Sequence, residues 1–79
     1  MLIEVAESSL TYHRETKAPL YASSGVPEYW IVDVSSRTLE VYSSPQGERY
    51  ASLATFTGQD ILRPQAFADV EIRVAQLFD

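Results

Sequence analysis

Glu4 lies inside the apolar run Leu2-Ile3-Glu4-Val5-Ala6, and Lys17 follows in a segment of helix-forming residues. An ionised carboxylate in an apolar strand is costly to bury unless it is paired, hydrogen-bonded or bound to a cation, so Glu4 asks for a partner. An ammonium carried past it on a packed helix could stabilise charge developing on a phosphate or orient a water. Each residue also has a purely structural reading: Glu4 as a strand-end carboxylate facing water, and Lys17 as an exposed helix lysine, the usual place for that residue type. His13 and Arg14 flank the same helix start and complete a small basic cluster with Lys17 that suits a phosphate contact or a solvated helix start. Asp33 ends the next apolar run just before a reversal, where aspartate is an ordinary turn residue. Tyr12, Tyr21, Tyr29, Trp30 and Tyr42 are spaced for core and sheet packing rather than along a basic groove, and Trp30 is expected in the core.

Several chemistries are excluded. The sequence contains no glycine-rich phosphate loop and no nucleophile elbow, and its single histidine and zero cysteines rule out a histidine-pair motif, a thiolate zinc site and any disulfide.

The elements that must position Glu4 and Lys17 follow from patterning. Residues 2–6 read as a mostly buried strand. Residues 7–14 read as a loop, and a helix is expected from Glu15 to Ser24, because Pro19 then falls in the first turn, where its missing N–H costs nothing. Gly25 supplies the left-handed terminating residue and Val26-Pro27 the stop. Tyr29 to Val34 is a buried strand expected to pair parallel with residues 2–6 through a right-handed crossover. Ser35-Ser36-Arg37 then reverses the chain into residues 38–42, expected to be antiparallel with one wet face. A turn cluster over 43–48, a strand over 49–56, a turn at Gly58-Gln59 and a short strand over 60–62 make a meander. Beyond Pro64, residues 67–72 connect, with room for a short strand, and 74–78 suit a terminal helical turn.

Composition sets the outer bounds. Seventy-nine residues allow one small domain, and at that size only about 60% of the unfolded chain's surface is buried, so a partner covering an edge would add needed stability. Apolar runs are far shorter than the roughly 20 residues that span a bilayer. No secretory signal is evident, so a reducing cytoplasm is the simplest home. A net charge of −5 opposes non-specific coating of nucleic acid and leaves any contact to a local patch or a metal.

Taken together, Leu2-Ile3-Glu4-Val5-Ala6-Glu7-Ser8-Ser9, Tyr12-His13-Arg14-Glu15-Thr16-Lys17, Leu20-Tyr21-Ala22 and Gly25-Val26-Pro27-Glu28-Tyr29-Trp30-Ile31-Val32-Asp33 resemble the Uma-two restriction-endonuclease family. This is a branch of the PD-(D/E)xK nuclease superfamily, and the resemblance is strongest over residues 2–42. It implies a mixed α/β domain: a restriction-endonuclease-like β-α-β core followed by an antiparallel meander. The whole of 1–79 would be a single partial domain, without the family's N-terminal helix and first strands. It also implies metal-dependent hydrolysis of DNA phosphodiesters, with Glu4 as a ligand for Mg²⁺ or Mn²⁺ beside an upstream aspartate, and Lys17 as the electrostatic catalyst. In the superfamily's usual pattern a lysine lies two residues after the glutamate. Ala6 stands there, and Lys17 matches the displaced lysine of this branch. His13 stands where related chains usually carry aspartate. Without the upstream aspartate the cation would be held weakly, and the chain is expected to be a truncated or split member with little activity alone. The competing expectation is a non-catalytic module whose exposed sheet edge pairs with a second copy or a partner chain.

Overall fold

The computed structural model describes residues 1–64 and 69–78. Its main sheet has four strands, β1 (Leu2–Ala6), β2 (Glu28–Asp33), β3 (Thr38–Gln46) and β4 (Arg49–Phe56), in the order β1-β2-β3-β4. β1 and β2 are parallel, as expected from the helical crossover between them, and the remaining pairs are antiparallel. A second, two-stranded sheet joins β5 (Ile61–Leu62) to β6 (Ile72–Arg73), followed by a 3₁₀ turn at Val74–Leu77. The architecture is mixed α+β with a mostly antiparallel sheet. Of the connecting segment expected over 67–72, residues 67 and 68 lie outside the described residues, and its end forms β6.

The helix begins earlier than the sequence suggests. It starts with α1 (Leu10–Tyr12), passes through a π-helical segment (His13–Lys17) and continues as α2 (Ala18–Ser23), so residues 10–14, expected as loop, are helical. Pro19 misled the reading because a proline inside an α-helix removes a hydrogen bond and clashes with the carbonyl four residues back. Here the Ala18 N–H bonds back to the His13 carbonyl, five residues earlier, so Pro19 meets a ladder already shifted by the π segment. Its C-terminus matches expectation. Gly25 N–H bonds the Ala22 carbonyl (3.0 Å) and Val26 N–H the Tyr21 carbonyl (3.0 Å), the Schellman pattern, with Gly25 at φ 75°. Nothing crowds a Cβ at Gly25, so the left-handed backbone alone resists substitution. Gly25→Ala should cost about 1–2 kcal/mol, checked by denaturant unfolding at unchanged m-value.

β3 also departs from expectation. It runs to Gln46 instead of ending at Tyr42, and its β4 register continues through Ser43↔Ser52 and Pro45↔Tyr50 to Gln46↔Arg49. The reversal is thus confined to Gly47 and Glu48, with Gly47 at φ 64° in a two-residue hairpin turn that wants glycine first. Ser44, at φ 58°, absorbs the irregularity that the Ser-Ser-Pro cluster signalled.

Apolar residues pack on both faces of the sheet. On one, Trp30, Val32, Leu39 and Val41 pack with Leu62 and Val74 from the second sheet and 3₁₀ turn. On the helix face, Ala6, Ala18, Tyr29 and Ile31 form the core, bordered by Leu10, Tyr21, Tyr42 and Tyr50. The face of β3 expected to be wet is covered: Glu40 is only 3% exposed, because the helix lies over it and Arg14 supplies its counter-charge.

Candidate functional site

Register decides which groups meet. Glu4 pairs with Ile31, and Ile31 pairs with Glu40, so these three side chains form one row across β1, β2 and β3 on the face beneath the helix. Tyr29 and Tyr42 occupy the neighbouring positions on that face. The π-helical segment lies above them and carries His13, Arg14 and Lys17.

Glu4 and Lys17, separated in sequence, meet here: Lys17 Nζ lies 3.8 Å from Glu4 Oε2. Tyr21 Oη donates to the same oxygen at 2.7 Å, and Tyr29 Oη donates to Oε1 at 3.0 Å. His13 Nε2 stands 3.4 Å from Oε1. On the other side of the imidazole, Nδ1 lies 2.8 Å from the Ser9 carbonyl, which can only accept; Nδ1 therefore carries a hydrogen and Nε2 is the nitrogen turned to Glu4. Lys17 Nζ also sits 5.3 Å from the centre of the Tyr21 ring.

These neighbours set the charge state. Burial pushes the Glu4 carboxyl up, but the hydroxyls of Tyr21 and Tyr29 and the charges of Lys17 and His13 outweigh it and hold Glu4 below its ordinary value of 4.5. Lys17 is raised, chiefly by its contact with Tyr21 and further by Glu4. Tyr29 is pushed well above the ordinary phenol range by burial and by its bond to the Glu4 carboxylate. Because Glu4 titrates lower folded than unfolded, its stabilisation is full above the unfolded value and disappears as pH falls through the folded one. Glu4→Gln should therefore flatten the stability-versus-pH curve below about pH 4.5, leaving the neutral side little changed in its pH slope, as read by urea unfolding at successive pH values.

Sequence reasoning missed the second cluster. Glu40 accepts from Arg14 Nε on both oxygens (3.0 and 3.1 Å), from Arg14 Nη2, and from Tyr42 Oη (3.0 Å). Burial and the Glu40 charge lift the Tyr42 phenol to about 12. Tyr21, Tyr29, Tyr42 and Tyr50 then line up as successive ring contacts at 4.9, 5.9 and 5.8 Å. One signal was present: Tyr21 lies one helical turn after Lys17 and so shares its face. Asp33 takes the turn role, accepting from the Ser36 hydroxyl, with Ser36 N 3.5 Å away. Trp30 is fully buried, its Nε1 donating to Glu28 at 3.0 Å.

This donor set does not suit a divalent cation. Both Glu4 oxygens already accept a hydroxyl, an ammonium stands beside them, and among the described residues no three His, Asp or Glu side chains gather to hold a metal. Glu40 is two strands away, roughly 10 Å at ordinary strand spacing, and is committed to Arg14. These residues alone do not make a resident magnesium site, which needs carboxylate oxygens left free for the ion.

A helix thus crosses one face of a mostly antiparallel sheet and brings a lysine to a carboxylate on the opening strand. The model of the Uma2 family, described as "Putative restriction endonuclease", matches residues 1–75, and the chain belongs to that family. A search among curated proteins found no match. Among the described residues no helix is long and apolar enough to cross a membrane.

Proposed function

We propose that the chain carries the lysine-bearing part of a metal-dependent, DNA-cleaving site, in which phosphodiester hydrolysis uses Glu4 as one carboxylate and Lys17 as the electrostatic group. The supporting observation is the approach of Lys17 Nζ to Glu4 Oε2 at 3.8 Å, from an element placed there by the π-helical segment. The metal, magnesium or manganese, would polarise a phosphate and activate water when bound. A second carboxylate has to come from outside the described residues. What these residues do themselves is narrower. Tyr21 and Tyr29 hold the carboxylate in one orientation, its low titration keeps it ionised at neutral pH, and Lys17 presents positive charge where a phosphate would gain negative charge.

The test is relaxation of supercoiled plasmid by the purified chain at high concentration in Mn²⁺ or Mg²⁺. Slow nicking that stops with a chelator is the expected result. No nicking in either metal, or nicking indifferent to chelation, would overturn activity in this chain.

A second reading rests on the opposite edge of the same strand. β1 is the outer strand of the described sheet, with Ile3 and Val5 about half exposed on the face away from the helix. Such an edge suits pairing with a second copy or another chain. Sedimentation should then show a concentration-dependent dimer, weakened by Val5→Lys; a monomer at all concentrations excludes self-association.

A further inference from the structure

The Arg14–Glu40 pair lies outside the Glu4 cluster and no step of the proposed chemistry uses it. Arg14 belongs to the same π-helical segment as His13 and Lys17, yet it is directed to a different strand. Its guanidinium engages both oxygens of Glu40, whose side chain is 4% exposed, while the Arg14 side chain is about half exposed. Glu40 and Glu4 are two register steps apart on one face. One five-residue segment is therefore fastened to the sheet at two points: through His13 and Lys17 to β1, and through Arg14 to β3.

Two fastenings on different strands fix what one cannot. A helix held only through the Lys17 ammonium, 3.8 Å from a partly exposed carboxylate, could roll about its axis at little cost. A planar guanidinium fork on a buried carboxylate resists that roll, because its geometry is directional. The sheet side is stiffened in turn: Tyr42 donates to Glu40, its ring abuts Tyr29 at 5.9 Å, and Tyr29 donates to Glu4. The segment's helical ladder is irregular where it carries these residues, so its rotation is not dictated by the neighbouring α-helical turns alone.

We infer that Arg14 and Glu40 are positioning residues whose ion pair sets the rotation of the π-helical segment and so holds Lys17 against Glu4. The inference deepens the nuclease reading, but its test requires neither DNA nor metal.

Lys17 is the single lysine of the chain, so trace acetylation followed by peptide mass spectrometry reports on one side-chain amine, with the α-amino group as internal reference. In the intact protein, the approach of Glu4 Oε2 at 3.8 Å should slow Lys17. Glu4→Gln should raise its rate relative to the α-amino group by about two- to fivefold, the range released by a partly exposed ion pair. Arg14→Gln and Glu40→Gln, whose side chains pair with each other and not with Lys17, should raise it by a similar factor. Folding is checked by the near-ultraviolet signal of Trp30. Where a single substitution leaves a buried charge and unfolds the chain, the paired Arg14→Met/Glu40→Met variant removes both charges together and should show the same release. A folded Glu40→Gln or paired variant with an unchanged Lys17 rate would overturn the inference, whatever the plasmid assay shows.

Discussion

Lys17→Ala should lower metal-dependent plasmid nicking by about 100-fold, the usual loss when one preorganised positive or donor group is removed from a developing anion. Lys17 is the chain's single lysine, and Arg14, the nearest guanidinium on that segment, is committed to Glu40. The loss should appear in the maximal rate more than in the DNA concentration needed, because the interaction strengthens as charge builds on the phosphate. Stability should change little, since the ammonium is partly exposed and its pair is of the surface type. A variant that melts with the intact protein but nicks as fast would remove Lys17 from the chemistry.

Trp30→Ala should remove a large part of the chain's stability, up to complete unfolding. Trp30 is fully buried at the centre of the cluster that joins the main sheet to the second sheet and 3₁₀ turn, through Val32, Leu39, Val41, Leu62 and Val74. Truncating a buried tryptophan costs about 3–5 kcal/mol. A chain of 79 residues has, at about 0.05–0.15 kcal/mol per residue, a total of roughly 4–12 kcal/mol. The substitution therefore takes about a quarter or more of the available stability, and most or all of it if the chain lies near the lower bound. Circular dichroism should show either no cooperative transition or a midpoint lowered by more than 10 °C. A cooperative melt at the original temperature would show that the two sheets do not depend on this contact.

Much of this fold was visible in the sequence because local signals and tertiary packing agreed. The apolar run at 2–6, the Gly25-Val26-Pro27 stop and the β-rich stretch around Trp30 each pointed one way, and β1, the helix end and β2 formed accordingly. The errors lie where a local rule met a compensation that spacing does not display. Pro19 obscured the helix start because a π register is invisible in composition, although Ser9 before Leu10 is a residue type that commonly precedes a helix. Ser43-Ser44-Pro45 signalled a turn, but one positive-φ serine absorbed the irregularity and let β3 continue.

The candidate cluster was legible in part for the same reason. Glu4 stood out as a charge in an apolar strand and Lys17 as a basic residue on the crossing helix. Glu40 did not, since a carboxylate alternating with Leu39 and Val41 looks like an ordinary wet face. Only the register through Ile31 and the reach of Arg14 turn it into a buried anchor. The hydroxyls of Tyr21 and Tyr29 were likewise read as packing aromatics; the rings do pack, and their oxygens also bind Glu4.

The sharpest test of a shared Glu4–Lys17 site is a double-mutant comparison of nicking rates in Mn²⁺ for the intact chain, Glu4→Ala, Lys17→Ala and the variant carrying both. Residues that act as a unit lose their contribution together, so the double variant should nick no more slowly than the worse single one. Losses that multiply across the two substitutions, or singles that nick as fast as the intact chain, would contradict a common site.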